Sequence, residues 1–382
     1  MNNANSRLNH ETTQRRSRSS AGCHTFSTPD YSSLRPSVWR WARLAAVVPS
    51  MLLVSSISPL AATAGKGPGT QTNNIPARVD AKLARFPKFE PNQRIPAIDP
   101  VTNPPVVLDG QDKYVDPNEL VLGVVLNNEA RAYPLNMISG PEREVTNDQL
   151  GGKSILVTFC SLCADGAVFE RTYGKRTLTF GVDGSLWKQT PVMYDQETRT
   201  SWSPFVGQAM AGELQGTELV RLPCQVMDWK TWKALYPKTS LLAFSRKTPN
   251  FNLEKRKQST RYVLGVLSKD AARCYPFETL KTKSVVNDSF EGEELVVTLD
   301  LDSTSAAAFS RKVDGKVCQF RPKGKGLMED IDTGSVWNVI KGECIEGKLK
   351  GRRLTLVASK ITLGGAWILF YPKTEIYGDL KP

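Results

Sequence analysis

Two cysteines at the end of an apolar run are the residues best placed to do chemistry in this chain of 382 residues. Ile155 to Phe159 is β-branched and aromatic, which predicts a buried strand, and it leads directly into Cys160 and Cys163. This spacing places two sulfurs where they can bond to each other or to one metal ion. No other short motif in the sequence has so clear a chemical meaning.

The histidine content narrows that chemistry. The only histidines are His10 and His24, and both lie in the N-terminal region. If that region is removed, the mature chain has no imidazole. This would exclude Ser-His-Asp and Cys-His catalytic sets, covalent haem attachment, and zinc or copper sites with histidine ligands.

The N-terminal region has the pattern of an export signal. Arg40 and Arg43 precede an apolar run over residues 44–60, and Ala62-Thr63-Ala64 fits a small-x-small cleavage site. We therefore expect residues 1–64 to be a secretory signal with a long basic n-region, and the protein to be extracytoplasmic, in the periplasm or at the cell surface. An uncleaved signal would instead anchor the protein in a membrane through residues 44–60.

The net charge does not indicate a nucleic-acid partner. The formal charge is +12, and a surplus of basic residues lies within the first 44 positions. The rest of the surplus is scattered among acidic residues, without a basic helix or an aromatic–basic ladder. Such a distribution favours solubility over nucleic-acid binding.

The rest of the chain contains a duplicated unit. Residues 65–117 are rich in Pro, Asn and Lys and predict an extended lead-in. Residues 118–246 and 261–382 then repeat the same landmarks in the same order, separated by a charged, polar linker at 247–260. The matched landmarks are Leu122-Gly123-Val124 with Leu264-Gly265-Val266, Asn147-Asp148 with Asn287-Asp288, Asp195 with Asp330, Trp202 with Trp337, and Trp232 with Trp367.

Each unit is predicted to be rich in strands, so the fold class is α+β, mostly β, as two tandem repeats. Hairpins are expected over 170–180 and 310–320, where Asp314-Gly315 suits a tight turn. Further strands are expected over 219–222 and 354–357. One helix is expected over 228–235 with Asp228 as its N-cap, and its counterpart would be 364–370.

The duplicated body resembles a bacterial family named for a domain of unknown function, family 3179, over roughly residues 118–377. The resemblance rests on Thr158-Phe-Cys-Ser-Leu-Cys163, Phe180-Gly-Val-Asp-Gly184, Met193-Tyr-Asp-Gln-Glu-Thr198 and Trp202. The family's usual motif is Cys-Pro-x-Cys-Gly, so Ser161 stands here for the Pro and Ala164 for the Gly, while Asp183 replaces a Ser. The resemblance implies a coherent fold and export, and it carries no activity.

Comparing the two units separates scaffold from candidate site. Residues kept in both, such as Asp195 in an Asx turn and Trp202 in the core, are expected to be structural. Cys160 and Cys163 align with Asp300 and Ser303, so only the first unit has the pair. The first unit is also about five residues longer in a Gly-rich loop over 181–191.

Three interpretations of the cysteine pair remain open. It could hold a soft metal, most plausibly Cu(I), with Met193 or Met210 as a third ligand, whereas zinc would need Cys224 or a carboxylate to complete its set. It could carry out thiol–disulfide exchange. It could also be a local disulfide or two packed thiols. The residues expected to wall the site are Asp183, Trp187, Asp195 and Trp202.

The sequence therefore predicts an exported protein whose best candidate activity is soft-metal binding or thiol redox chemistry in the first repeat. The alternative is a non-catalytic, cell-surface or periplasmic ligand-binding or scaffold module with structural cysteines, in which the cleft between the units is the binding surface. Whether the protein is an enzyme, and which partner it has, is left open by the residues themselves.

Overall fold

The computed structural model describes residues 88–108, 115–246, 249–268 and 271–378. The predicted signal region 1–64 and the first part of the predicted lead-in lie outside these residues. Within the described ranges, no helix is both long enough and apolar enough to cross a membrane.

The lead-in residues that are described contribute one short strand to each sheet of the first repeat. The strand β1 pairs with β11, β2 with β6, and β3 with β17, so this segment runs along the folded body. The ranges are β1 (Asn92–Gln93), β2 (Val101–Thr102), β3 (Val106–Val107), β6 (Val145–Leu150), β11 (Phe180–Trp187) and β17 (Ser240–Leu242).

The first repeat consists of three sheets, with strand orders β16-β4-β5-β17-β3, β15-β8-β7-β6-β2 and β1-β11-β12-β13-β14, and a β9–β10 hairpin. The strand predicted over 155–159 is observed as β7. The remaining elements are β4 (Leu120–Leu126), β5 (Glu129–Pro134), α1 (Leu135–Ile138), β7 (Lys153–Cys160), β8 (Asp165–Glu170), β9 (Thr172–Tyr173), β10 (Arg176–Thr177), β12 (Thr190–Asp195), β13 (Ser201–Ser203), β14 (Gln208–Ala211), β15 (Val220–Leu222), β16 (Cys224–Asp228) and α2 (Trp229–Leu235).

The second repeat has three corresponding sheets without the strands of the lead-in and without a counterpart of β15, in the orders β29-β18-β19-β30, β20-β21-β22 and β25-β26-β27-β28, with a β23–β24 hairpin. Helix α3 (Leu253–Gln258) precedes it. Its elements are β18 (Tyr262–Leu267), β19 (Ala272–Pro276), α4 (Phe277–Thr282), β20 (Val285–Phe290), β21 (Glu293–Leu299), β22 (Ala306–Ser310), β23 (Lys312–Val313), β24 (Lys316–Val317), β25 (Phe320–Gly324), β26 (Leu327–Asp330), β27 (Val336–Asn338), β28 (Cys344–Glu346), β29 (Ser359–Leu363), α5 (Gly364–Phe370) and β30 (Glu375–Ile376). The predicted fold class, mostly β with two tandem repeats, is therefore confirmed.

Close packing of an indole on a strand explains why both repeats keep Leu-Gly-Val. A Cβ atom on Gly123 would lie 2.1 Å from the Trp232 ring, and one on Gly265 would lie 2.1 Å from the Trp367 ring. Each tryptophan comes from a helix, α2 or α5, that follows the strand paired with that glycine's strand. Any side chain at either glycine would push the helix off its sheet.

The predicted local signals are observed in both hairpins and in the first helix. Asp314 and Gly315 have φ values of 48° and 79°, as a tight hairpin turn requires. The Asp228 carboxylate accepts a hydrogen bond from the N–H of Thr231 and so caps α2. The counterpart segment 364–370 is also a helix.

Two predictions about local structure were wrong. Residues 354–357 do not form a strand, because only an isolated bridge between Leu356 and Phe309 joins this segment to β22. Residues 181–191 are not a loop but lie in the β11–β12 hairpin. The glycines are tolerated there because the ladder shifts register between Val182 and Leu186, where Gly184 has a φ of 90°.

Candidate functional site

The Cys160–Cys163 turn connects β7 to β8. Its geometry is set by a hydrogen bond from the Cys163 N–H to the Cys160 Sγ, at 3.2 Å. Ala164, which follows, has a φ of 51°, a left-handed conformation that glycine adopts at lower cost. Both cysteines are buried, with 5% and 3% of their surface exposed, and both are free thiols.

The same turn exists in the second repeat without sulfur. There the Asp300 carboxylate accepts hydrogen bonds from the Ser303 N–H at 3.0 Å and from the Ser303 hydroxyl. Thr304, which aligns with Ala164, has a φ of 55°. The turn is therefore a shared scaffold on which only the first repeat places two thiols.

Ser161, which stands where the family usually has Pro, binds a buried acid. Its N–H and its hydroxyl both donate to the Glu144 Oε1, at 3.1 and 2.6 Å. Burial raises the pKa of Glu144, and the hydrogen bonds from Ser161 oppose that shift. A proline at position 161 has no N–H to donate, so the departure from the family motif is tied to this acid.

The second repeat closes over the cysteines. The carbonyl oxygen of Cys163 accepts hydrogen bonds from the Thr362 hydroxyl at 2.9 Å and from the Leu363 N–H at 3.0 Å, both on β29. Cys160 and Cys163 belong to a buried apolar cluster that includes Trp367 and Phe370 of α5. The site thus lies at the junction of the two repeats.

A buried ion pair crosses this junction beside the sulfurs. Lys360 Nζ lies 2.7 Å from the Asp165 Oδ2, and each side chain is 4% exposed. The ammonium also donates to the Phe205 carbonyl at 2.7 Å and lies 3.5 Å from the centroid of that ring. The other Asp165 oxygen, Oδ1, is buried without a hydrogen-bond partner among the described residues.

Burial dominates the protonation of these groups. It raises the pKa of the Cys163 thiol well above its ordinary value, and the nearby Cys160 adds to the effect while Lys360 opposes it. It raises the pKa of Asp165 and lowers that of Lys360 to about 8, because water is excluded from both charges. The thiol of Cys163 therefore keeps its proton at neutral pH unless a metal ion displaces it.

A cavity of about 10 Å³ separates Cys160 from Glu144 and Asp165. This is about the smallest volume that holds one water molecule. The described ranges contain no group of three or more His, Cys, Asp or Glu side chains able to hold a metal. The site is therefore enclosed and offers two sulfurs.

The structure brings some of the predicted site residues together and separates others. Trp187 and Met210 lie in the same apolar cluster as Cys160 and Cys163. Met193 and Trp202 lie in a different cluster, where the Trp202 indole donates to the Asp195 Oδ2 at 2.8 Å. The Asp183 carboxylate accepts a hydrogen bond from the Ser185 hydroxyl. Cys224 lies on β16 and packs against another cluster.

Sequence reasoning missed the residues that contact the cysteine turn but lie far from it in the sequence. Thr362 is 199 positions from Cys163, and no local spacing could connect them. A signal for the ion pair did exist, because Asp165 and Lys360 align with the uncharged Ser305 and Gln225 of the other repeat. Charges present in only one copy of a duplicated core are as informative as cysteines present in only one copy.

The fold and this site together define a duplicated, strand-rich protein with a dithiol turn in its first half. The model of a family described as "Protein of unknown function (DUF3179)" matches residues 92–252 and again residues 246–379. The chain therefore belongs to this family and carries its domain twice. Comparisons with curated proteins and with solved structures found no match.

The left-handed residue after the cysteines generates a stability prediction. We expect Ala164→Gly to raise the free energy of unfolding by about 1 kcal/mol, because a Cβ atom is strained at positive φ. Urea unfolding would measure the change. Ala130→Gly, in the interior of β5, is the matched control and should lower stability by about 0.5–1 kcal/mol. Destabilisation by both variants would contradict the assigned backbone conformation.

The buried ion pair generates a second prediction. We expect Lys360→Met to destabilise the protein by about 3–5 kcal/mol, because it leaves the Asp165 carboxylate buried without its partner. The double variant Asp165→Leu, Lys360→Met should recover most of that loss. Urea unfolding of the two variants would test this, and a double variant no more stable than the single one would refute the pairing.

The same pair gives a pH dependence with a defined sign. Lys360 titrates at about 8 in the folded chain, against 10.5 for an ordinary lysine. The unfolded chain therefore binds more protons between these values, and the free energy of unfolding contributed by this residue rises with pH across that window. The double variant lacks the titrating amine and should lack this part of the rise.

Proposed function

We propose that this protein is a soft-metal-binding protein in which Cys160 and Cys163 of the first repeat hold a Cu(I) ion. The observation that carries the proposal is the turn itself, in which the Cys163 N–H already points to the Cys160 sulfur. A backbone N–H that donates to a sulfur stabilises the thiolate, the form that binds a metal. The turn is thus organised for thiolate ligands before an ion arrives.

The donor set fits a monovalent soft ion better than zinc. Thiolate and thioether ligands select Cu(I), which is satisfied by few ligands, whereas structural zinc sites use four. Two thiols and the Met210 thioether share one apolar cluster. The described residues supply no third charged ligand to this pair, which weighs against a zinc or iron–sulfur centre.

The surroundings would retain such an ion rather than expose it. The Lys360 ammonium offsets negative charge on the sulfurs, and its attraction already opposes the burial effect on the pKa of Cys163. Trp187 and Phe370 pack edge to face across the same cluster, with ring centroids 5.3 Å apart. When bound to Cys160 and Cys163, Cu(I) would supply a soft, thiolate-held centre, and the apolar cluster around the two residues would keep water away from it.

Export is part of the proposal. Its support is the sequence of residues 1–64, where an apolar run follows basic residues and precedes a small-x-small site. An extracytoplasmic protein with an enclosed dithiol would sequester or carry copper outside the cytoplasm.

Thiol–disulfide exchange is the second candidate, and one observation favours it. A buried carboxylate with an unpartnered oxygen, Asp165, lies beside Cys163 and could accept a thiol proton. The burial that raises the pKa of Cys163 opposes this candidate, because it lowers the thiolate fraction at neutral pH. We therefore rank exchange below metal binding.

Copper binding by the exported form of the protein tests the proposal. Reduced protein titrated anaerobically with Cu(I), against a chromogenic Cu(I) chelator, should take up one ion per chain. The double variant Cys160→Ser, Cys163→Ser should lose that ion, since two hydroxyls are poor ligands for a soft metal. Native mass spectrometry would count the bound ions.

Cys318→Ser is the matched control, because it removes a buried cysteine from the second repeat, and it should bind copper as the wild type does. Equal uptake by the wild type and by the double variant would overturn the proposal. A Cys160–Cys163 disulfide with a potential near those of exchange catalysts, and no copper uptake, would favour the second candidate. A protein that neither takes up copper nor forms such a disulfide would support the scaffold interpretation.

A further inference from the structure

Two equivalent hydrogen bonds connect the repeats, one donated by each repeat, so there are two equivalent junctions between them. Lys360 of the second repeat donates to the carbonyl of Phe205 in the first, at 2.7 Å. Gln225 of the first repeat donates to the carbonyl of Ile340 in the second, at 2.9 Å. Lys360 aligns with Gln225 and Phe205 with Ile340, which is the reciprocal pattern of a two-fold interface.

The junction around Phe205 is filled. Phe205 stacks on Phe370 of α5, with ring centroids 4.1 Å apart, and Trp187 packs against the same Phe370. The Arg221 guanidinium lies 4.8 Å from the Phe169 ring and donates to the Phe205 carbonyl. Large side chains therefore occupy the space between the repeats on this side.

The junction around Ile340 is open, because smaller side chains take the equivalent positions. Ile340 replaces Phe205, Gln225 replaces Lys360, and Leu356 replaces Arg221. The β25–β26 hairpin is also about five residues shorter and has no counterpart of Trp187. What remains is a cleft of about 120 Å³. A second cavity of about 130 Å³ adjoins it and shares Leu356 with it.

The walls of the cleft define the ligand it suits. Tyr236 provides partly exposed aromatic surface for an apolar body, whereas Trp232 and Phe309, each 1% exposed, form the floor of the cleft. The volume is close to that of the roughly 150 Å³ cavities known to hold one benzene ring. The cleft is thus sized for a single ring rather than for a large cofactor.

The charged side chains that line the cleft and the adjoining cavity are basic. Lys341 lines it and places its ammonium 5.1 Å from the Tyr236 ring centroid, and Arg221 lines the adjoining cavity. Neither cavity has a carboxylate among its lining residues. Glu343, whose charge reaches Tyr236, is paired with Arg353 at 3.2 Å. A negatively charged group on the ligand would therefore meet a cation without a competing acid.

We propose that the cleft lined by Tyr236, Lys341 and Leu356 binds a small aromatic carboxylate, with its ring against Tyr236 and its carboxylate toward Lys341. This site is separate from the cysteine pair and does not depend on metal binding. It makes the second junction a ligand site and the first junction a closed, metal-holding one.

Benzoate is the probe for this proposal, titrated into the full chain by isothermal calorimetry. Ile340→Phe introduces the ring that fills the equivalent position of the other junction, and it should weaken the binding of benzoate at least tenfold. Leu356→Arg, which mimics Arg221, gives a second blocking variant if the first does not fold. Lys341→Gln should weaken the binding of benzoate about tenfold but leave the binding of benzyl alcohol unchanged, because the alcohol has no charge to pair with the lysine.

Lys316→Gln, at an exposed position of β24, is the matched charge control and should bind benzoate as the wild type does. Cys224 gives an independent readout, because it lines the cleft and is the one cysteine in the described ranges that is not buried. Benzoate should slow its alkylation. No benzoate binding by the wild type, or equal binding by wild type and Ile340→Phe, would overturn the proposal.

Discussion

The buried contact between Asp165 and Lys360 constrains more of this molecule than any other single interaction. Two opposite charges taken out of water are tolerated only if they stay together, so the strands that carry them, β8 and β29, cannot separate. These strands belong to different repeats. The same β29 also supplies two donors to the Cys163 carbonyl. The conformation of the dithiol turn is therefore a property of the duplicated molecule and not of the first repeat alone.

Duplication explains how such a site could arise from a symmetric scaffold. Both repeats keep the turn between two strands, with a side-chain atom that accepts the N–H of the residue three positions later. In one copy that atom is a sulfur and in the other it is a carboxylate oxygen. The copy that lost the sulfurs, or never had them, is the one whose strand and helix cover the site. The repeat without the cysteines thus covers the cysteine turn of the other repeat.

Much of this fold could be predicted from the sequence because its signals are local. The strand 155–159, the Asp314-Gly315 turn and the Asp228 cap each depend on residues only a few positions apart, and each is observed. The wrong strand over 354–357 depended on a choice of neighbours that local pattern does not encode. The prediction of a loop over 181–191 was wrong for a related reason. Its glycines lie in a bulge of the β11–β12 hairpin, and the pairing of these two strands cannot be read from the local pattern.

The candidate site was harder to predict because its chemistry is set by partners distant in sequence. The spacing of the cysteines identifies them in the sequence. The pKa of the Cys163 thiol, however, depends on burial and on Asp165 and Lys360, and the enclosure of both cysteines depends on Phe205 and Phe370. Met193 and Met210 looked equivalent as soft ligands in the sequence. They lie in different apolar clusters, because only Met210 belongs to the junction between the repeats.

The two junctions show how one interface geometry can serve opposite purposes. Equivalent hydrogen bonds from a side chain to a backbone carbonyl hold both together. The junctions differ in the size and charge of their side chains, with Phe205, Lys360 and Arg221 on one side and Ile340, Gln225 and Leu356 on the other, and in the length of the neighbouring hairpin. Filling a junction excludes water and raises the cost of charge, as the shifted pKa values of Asp165 and Lys360 indicate. Leaving the other open gives solvent access to one face of Tyr236 and to Lys341. A pair of repeats can thus come to differ at their contacts although buried apolar clusters continue from one repeat into the other.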